Sequence, residues 1–337
     1  NKKVNLKNDI CLTNYSGEPI IGFIGSGNYA SRTLIPAFAK AGANLHMICS
    51  PSASNTVHIG TKFSFNHAIS DIDELLLNSE CNTIVVASRH DSHADLVIKS
   101  LKAGKNVFVE KPLCLTKEQL NSIKETYFSL TIGPNKTINY SPLLMVGFNR
   151  RFSPLLIEMK NQILKLNGPL SFVYTCNAGY LSKSHWLNDP HVGGGRFIGE
   201  ACHFVDLLRF LSDQEINDIK VFDLKEGNFP SETFSIHLSF KDGSIGTIHY
   251  LAKGNKSFPK ERIEVFASGS VIQLDNFRKL KAWGISSFRS KSHFKQDKGQ
   301  FNCALAFLDS IRKGESSPIP IDEIFEVQHY LLNSSNN

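Results

Sequence analysis

Lys111 stands between Glu110 and Pro112, directly behind the apolar run Asn106-Val107-Phe108-Val109. If that run is a strand of an open parallel sheet, Lys111 lies at its C-terminal end, where such sheets take up small molecules. An ammonium group there stabilises negative charge building on a substrate oxygen, or donates a hydrogen bond to a carbonyl in the reverse direction. A solvated lysine at a strand end is the structural alternative. A second group of residues suits phosphate. Ile20-Ile21-Gly22-Phe23-Ile24 flows into Gly25-Ser26-Gly27-Asn28-Tyr29-Ala30, a G-x-G-x-x-A pattern, and helical spacing follows over 31–41. Gly25 permits the tight turn, Gly27 lets backbone approach a pyrophosphate, and Ala30 lets helix and strand pack closely. The start of that helix attracts phosphate as well.

These groups need a scaffold, and the spacing predicts one. Strands are expected at 20–24, 44–50, 83–87, 106–109 and 144–148, alternating with helices that open at Asp71, Ser92 and Thr116. Gly104 ends the second of these helices and Thr116-Lys117-Glu118-Gln119 forms a capping box for the third. Alternation of this kind predicts an α/β domain, a doubly wound parallel Rossmann sheet. After about residue 149 the character changes. A helix with Pro154 at its start is followed by extended runs. Among them Phe234, Ile236, Leu238 and Phe240 alternate with polar residues, and Asp242-Gly243 marks a hairpin to 245–251. This half is expected to be α+β, with a mixed or antiparallel sheet, helices on one face, and closing helices near 301–312 and 321–332. The predicted division is a linker or tail over 1–18, a dinucleotide-binding domain over 19–149 and a second domain over 150–337.

Bulk properties exclude some classes. A chain of 337 residues with 41% apolar residues is long enough for two domains, and its net charge of +6 is spread without basic runs, which argues against nucleic acid. The seven cysteines are an odd number, far apart and without a C-x-x-C pair, so neither a disulfide framework nor a structural zinc is expected. No apolar stretch has the length of a membrane span. A cytoplasmic protein without a membrane or metal partner is the expectation.

Three further islands complete a pattern. They are Ser88-Arg89-His90-Asp91-Ser92-His93, Val146-Gly147-Phe148-Asn149-Arg150-Arg151-Phe152, and the stretch from Gly193-Gly194-Gly195-Arg196 through Gly199-Glu200-Ala201-Cys202-His203 to Asp206. With the glycine turn and Glu110-Lys111-Pro112, they resemble the Gfo/Idh/MocA family of nicotinamide-dependent sugar and polyol oxidoreductases, over about residues 19–330. Asn177-Ala178-Gly179, His185-Trp186, Asp189-Pro190 and the triple glycine look more narrowly like a subgroup fused behind a zinc-alcohol-dehydrogenase-like half. That would suit a chain beginning without methionine.

The resemblance implies hydride transfer between a secondary alcohol or ketone of a sugar, nucleotide sugar or cyclic polyol and NAD or NADP. It places Lys111 beside substrate and nicotinamide, puts Glu110 on the cofactor side with a Lys-Pro bond that is often cis, and makes His203 the group exchanging a proton with the substrate hydroxyl. A histidine suits that role because its pKa lies near neutrality; a packed core histidine is the alternative. Gly25, Gly27, Asn28, Tyr29, Ala30 and Ser50 are expected at the cofactor. Ser88, Arg89, His90 and His93 resemble cofactor-loop positions, although Ser88-Arg89 replaces the usual Thr-Pro and His93 has helix capping as a second reading. The family's aspartate four residues before the histidine is Gly199 here. Glu200 is then either a substitute carboxylate or the partner of Arg196 or another cation.

No acid follows Ile48-Cys49-Ser50-Pro51-Ser52 before Asp71, and no arginine stands there to hold a 2′-phosphate, which leaves NAD against NADP open. Arg150, Tyr180, Lys183, His185 and Trp186 are the candidate substrate residues, with surface or packing roles as their alternatives. By resemblance the chain forms a homodimer or homotetramer. A non-enzymatic dinucleotide-binding module, a redox sensor or one half of a fused protein, is the competing class.

Overall fold

The computed structural model describes residues 3–5, 17–131, 142–182, 184–225 and 232–334. The chain forms two compact units, Asn1–Gly147 with Gln300–Ile324, and Phe148–Gly299 with Phe325–Asn337.

Unit 1 is built on a seven-stranded sheet. Its strands are β1 (Lys3–Asn5), β2 (Ile20–Ile24), β3 (Asn44–Cys49), β4 (His67–Ile69), β5 (Thr83–Val86), β6 (Asn106–Val109) and β7 (Leu144–Val146), in the order β1-β4-β3-β2-β5-β6-β7. Strands β2 to β7 are parallel and β1 is an antiparallel edge. Lys3–Asn5, expected in a tail, thus extends the sheet. Strands β5, β6 and β7 are buried along their whole length, which is why they read as unbroken apolar runs. The chain order reverses at β2, whose neighbours are β3 and β5, so the switch point of the sheet falls at the glycine turn.

The helices α1 (Ile35–Lys40), α2 (Ala53–Lys62), α3 (Ile72–Leu77), α4 (His93–Lys102) and α5 (Lys117–Thr131) show the expected punctuation. Asp71 caps α3 by accepting from the amides of Asp73 and Glu74. Gly104 takes φ +70° behind α4, a conformation that only glycine enters freely. At α5 the amide of Gln119 donates to Thr116 Oγ1, while Gln119 Oε1 accepts from the amide of Thr116, both at 3.2 Å. The helix after the glycine turn differs from expectation. Residues Ala30–Leu34 form a π turn before α1. Pro36 lacks an N–H and crowds the carbonyl four residues back, and a widened turn relieves both defects.

Unit 2 carries an eight-stranded sheet of β8 (Ser171–Asn177), β9 (Ile216–Asp223), β10 (Phe234–Phe240), β11 (Ile245–Leu251), β12 (Glu261–Ala267), β13 (Ser270–Asp275), β14 (Lys279–Trp283) and β15 (Lys291–Ser292), in the order β15-β14-β13-β12-β8-β11-β10-β9. All neighbours are antiparallel except β8 and β11. The β10–β11 hairpin turns at Gly243, φ +89°, with Asp242 accepting from the amide of Ser244. One face, with Phe172, Tyr174, Ile236, Ile248, Ile263, Val265 and Ile272, is buried. Helices α6 (Pro154–Ile163) and α7 (Gly195–Ser212) lie against strands of this sheet.

The last helices are α8 (Gln300–Lys313) and α9 (Ile321–Ser334). Residues 300–324, assigned from sequence to the second domain, group with unit 1. Phe307 of α8 packs edge-on against Phe108 of β6 at 5.5 Å and Phe38 of α1 at 6.4 Å, closing an aromatic core that Phe23 and Phe65 continue.

Among the described residues six cysteines are free and buried. Burial pushes the thiols of Cys49, Cys81 and Cys176 up to about 12, so they serve as small core residues. Among the described residues, no helix is long and apolar enough to cross a membrane, and no group of three His, Cys, Asp or Glu stands together as a metal site.

Candidate functional site

Unit 1 brings most of its predicted residues to one rim. The C-terminal ends of β3, β2, β5 and β6, four neighbours in the sheet, lead into Ser50, Gly25–Ala30, Ser88–His90 and Glu110–Lys111 respectively. Parallel strands in register deliver these loops side by side.

The glycine turn is fixed from below and open above. Gly25 has φ +111°, and a Cβ there would lie 2.5 Å from the carbonyl oxygen of Ala87, while its amide donates to Cys49 at 2.9 Å. Gly27 differs, because a Cβ on it would meet nothing within 4 Å. The turn therefore leaves space where the pattern calls for a pyrophosphate to approach backbone, and Ala30 is buried beneath it. The donor and space requirements of a dinucleotide fit the residues present. Sequence reasoning missed Asn55, in the first turn of α2. Its Nδ2 donates to the carbonyl (2.7 Å) and hydroxyl (2.9 Å) of Ser26, clamping the turn from the side. Its only signal was an amide a few residues beyond the end of β3.

Glu110 and Lys111 close the rim. The Glu110 carboxylate lies against Gly147, whose Cβ would stand 2.9 Å from Oε1, so the glycine of the Val146-Gly147 island makes room for it. The Lys111-Pro112 bond is cis. His93, expected at the cofactor loop or as a helix cap, is held by backbone carbonyls. It is fully buried, with Nδ1 2.7 Å from the Pro112 carbonyl oxygen and Nε2 3.3 Å from that of Ser88. Burial pushes its pKa below the usual value despite these carbonyls, and the neutral ring has one proton, best placed on the shorter contact. His93 thus ties the loop after β5 to the loop carrying Lys111. His90 is buried beside it with ring centroids 5.5 Å apart, whereas Arg89 is exposed. Ser88 and Ser92 share a 2.6 Å hydroxyl contact.

Asp71, the first acid after the glycine turn, is committed to capping α3. Ser50 remains as the hydroxyl at the end of β3.

Unit 2 places its residues differently. His203 is buried on α7, its ring 6.3 Å from that of Phe148. Glu200 is half-buried one turn earlier, and its charge acts on Arg150 and Tyr250. Arg196 pairs with Glu232. Arg150, expected at the substrate, is held in a buried ion pair. Its Nε and Nη2 donate to the two oxygens of Glu261 at 2.8 and 3.0 Å, and its guanidinium lies over Phe204. Glu261 also accepts from Tyr174 Oη and, at 2.5 Å, from Lys298 Nζ. Burial alone would raise the Glu261 carboxyl, but Arg150 and Lys298 hold it well below the usual carboxylate range. Arg151 makes a second buried pair with Asp206 at 2.6 Å. Both arginines of the Asn149-Arg150-Arg151 island therefore serve the core of unit 2. Tyr180 is exposed, and His185 and Trp186 are half-buried with tilted rings 5.8 Å apart. Lys183 lies outside the described residues.

Residues 20–129 match the family model GFO_IDH_MocA, described as "Oxidoreductase family, NAD-binding Rossmann fold". The chain is 27% identical over 235 residues to myo-inositol 2-dehydrogenase of Thermotoga maritima, a match covering 64% of this chain and 63% of that protein. It spans less than two thirds of that relative's length. Among solved structures, an oxidoreductase domain protein from Kribbella flavida superposes with a TM-score of 0.81 at 19% identity, over 94% of this chain and 96% of the other. A levoglucosan dehydrogenase in complex with NADH and levoglucosan superposes with a TM-score of 0.78 at 16% identity, over 94% and 97%. The two-unit fold is shared with both. Residues 20–129 are thus similar to the NAD-binding Rossmann unit of the Gfo/Idh/MocA oxidoreductases, and the chain as a whole shares its two-unit fold with solved oxidoreductase structures.

Proposed function

We propose that the protein is a dehydrogenase or reductase using NAD or NADP on a secondary alcohol or ketone of a sugar, nucleotide sugar or cyclic polyol. The observation that carries this is the rim of unit 1, where an open glycine turn and the Glu110-Lys111 pair follow adjacent parallel strands at the switch point. The names of the inositol and levoglucosan dehydrogenases support the substrate class.

When bound, the dinucleotide supplies the hydride acceptor or donor. Gly25, Gly27, Asn28, Tyr29 and Ala30 hold its pyrophosphate, and Ser50 bonds the ribose. Lys111 donates to the substrate oxygen and stabilises its developing charge. An imidazole nitrogen of His203 accepts the hydroxyl proton in oxidation and returns it in reduction. Glu200 tunes this histidine through the charge it places on α7. Tyr180, Lys183, His185 and Trp186 recognise the substrate.

We also assign self-association to the open face of the unit 2 sheet, which exposes Ile245 and Phe266 among polar residues. Sedimentation at micromolar concentration gives a dimer or tetramer on this reading, and a monomer would reject it. The pattern Asn177-Ala178-Gly179 with His185-Trp186 supports placement in the subgroup fused to a zinc-alcohol-dehydrogenase-like half, and the mass of the natural polypeptide tests it.

The decisive assay follows absorbance of the reduced nicotinamide over a panel of inositols, anhydrosugars, aldoses and nucleotide sugars, with each cofactor. Turnover of at least one panel member is expected. Cofactor binding with silence across the panel, in both directions, would replace this reading with a non-enzymatic dinucleotide-binding module.

A further inference from the structure

Arg196 stands in the first turn of α7, two turns before His203, and its side chain is 5% exposed. Its guanidinium is held between the Tyr250 ring, 5.8 Å from Cζ, and three polar groups. Nη1 donates to the carbonyl of Gly179 at 2.9 Å and to Tyr250 Oη at 3.3 Å, and Nε pairs with Glu232 Oε2 at 3.0 Å. The other oxygen of Glu232 accepts from Asn188 Nδ2 at 3.0 Å, and the same amide group donates to the carbonyl of Ser182. Gly179 and Asn188 are the two feet of the arch that carries Tyr180, His185 and Trp186. One guanidinium therefore grips the first foot directly and the second through Glu232.

The neighbouring glycines serve the same contact. A Cβ at Gly193 would fall 2.4 Å from Leu187 Cα, so the triple glycine is where the start of α7 presses against the arch. Tyr250, in turn, is stacked on Phe234 at 4.7 Å and 4°, which fixes the ring under Arg196. The planar fork presents its donors in a fixed geometry toward both groups, whereas a lysine ammonium is a compact charge on a flexible stem.

We propose that Arg196, with Glu232 as its relay, is the positioning residue of substrate recognition, setting the arch in register with α7. The proposal rests on the reading that Tyr180, His185 and Trp186 meet substrate. A residue with only a folding role would change stability and leave KM alone. A positioning residue shifts substrate affinity in protein that is folded and binds cofactor normally.

Trp186 and Trp283 are the two tryptophans, so Trp283→Phe leaves Trp186 as the sole reporter on the arch. In that background Arg196→Met and Glu232→Gln are expected to raise acrylamide quenching of Trp186 about twofold, with Arg196→Lys intermediate. With the substrate found in the panel, KM rises roughly tenfold in Arg196→Met, while kcat stays within about threefold, the pattern of lost binding common to ground and transition states. Cofactor affinity, titrated by fluorescence of the reduced nicotinamide, stays unchanged. Folded variants with unaltered quenching and unaltered KM would overturn the proposal. If no panel member reacts with the parent protein, the functional reading fails, whereas quenching still decides whether Arg196 and Glu232 hold the arch.

Discussion

The rim of unit 1 and the charged core of unit 2 are both rich in polar residues from motif islands, yet they are built in opposite ways. Along the rim, small residues make room. Gly27 faces open space, Gly25 sits against Ala87, and Gly147 yields to Glu110. In unit 2 the polar residues fill room. Arg150, Tyr174 and Lys298 converge on Glu261, and Arg151 closes on Asp206. The contrast teaches that an arginine in a motif island can be engaged by protein carboxylates in the core.

The largest effect expected from breaking this contrast is in unit 2. Glu261→Ala leaves the buried Arg150 and the half-buried Lys298 without their shared carboxylate and should cost about 3–5 kcal/mol, read from urea midpoints. The pH dependence has a definite sign. A carboxyl whose folded pKa is depressed contributes stability that is complete above the unfolded value and lost as pH falls toward the folded one. Acid unfolding of Glu261→Gln should therefore be flatter below the ordinary carboxylate range than that of the parent.

On the rim, Gly25→Ala forces a side chain into φ +111° and against the Ala87 carbonyl, for a loss of about 3 kcal/mol in the same measurement. Gly27→Ala meets no protein atom, so stability should hold. Its cofactor affinity should fall about tenfold, or 1.4 kcal/mol, by calorimetric titration. Equal stability losses in the two glycine variants would remove the distinction between a turn that is fixed and one that is open. The smallest effect belongs to His93→Leu, which leaves the Pro112 carbonyl without its ring partner. About 1–2 kcal/mol of stability and a severalfold fall in turnover are expected.

The sequence made the parallel sheet readable because strands buried on both faces are unbroken apolar runs, and because Asp71, Gly104 and the Thr116–Gln119 box punctuate the helices between them. The glycine turn was readable for a related reason, since backbone geometry dictates its residue types. Less was legible in unit 2. Glu261 is 111 residues from Arg150, and nothing local to either marks the pairing. Arg150 sits in a short turn before α6 and Glu261 at the first residue of β12, so their meeting is a property of the folded unit and not of either local sequence. His93 illustrates the same limit, because its carbonyl partners on two separate loops are visible only once β5 and β6 lie side by side. Asn55 was hidden likewise, 29 residues from the turn it clamps.

The central claim is that the rim of unit 1 binds a dinucleotide and that Lys111 acts on the reacting oxygen. Single-turnover hydride transfer in Lys111→Met, followed by nicotinamide absorbance with the substrate found in the panel, tests it most directly. The account predicts a rate lowered on the order of 10²–10³-fold with cofactor affinity within a few-fold of the parent. Transfer at the parental rate, with cofactor and substrate both bound, would contradict it.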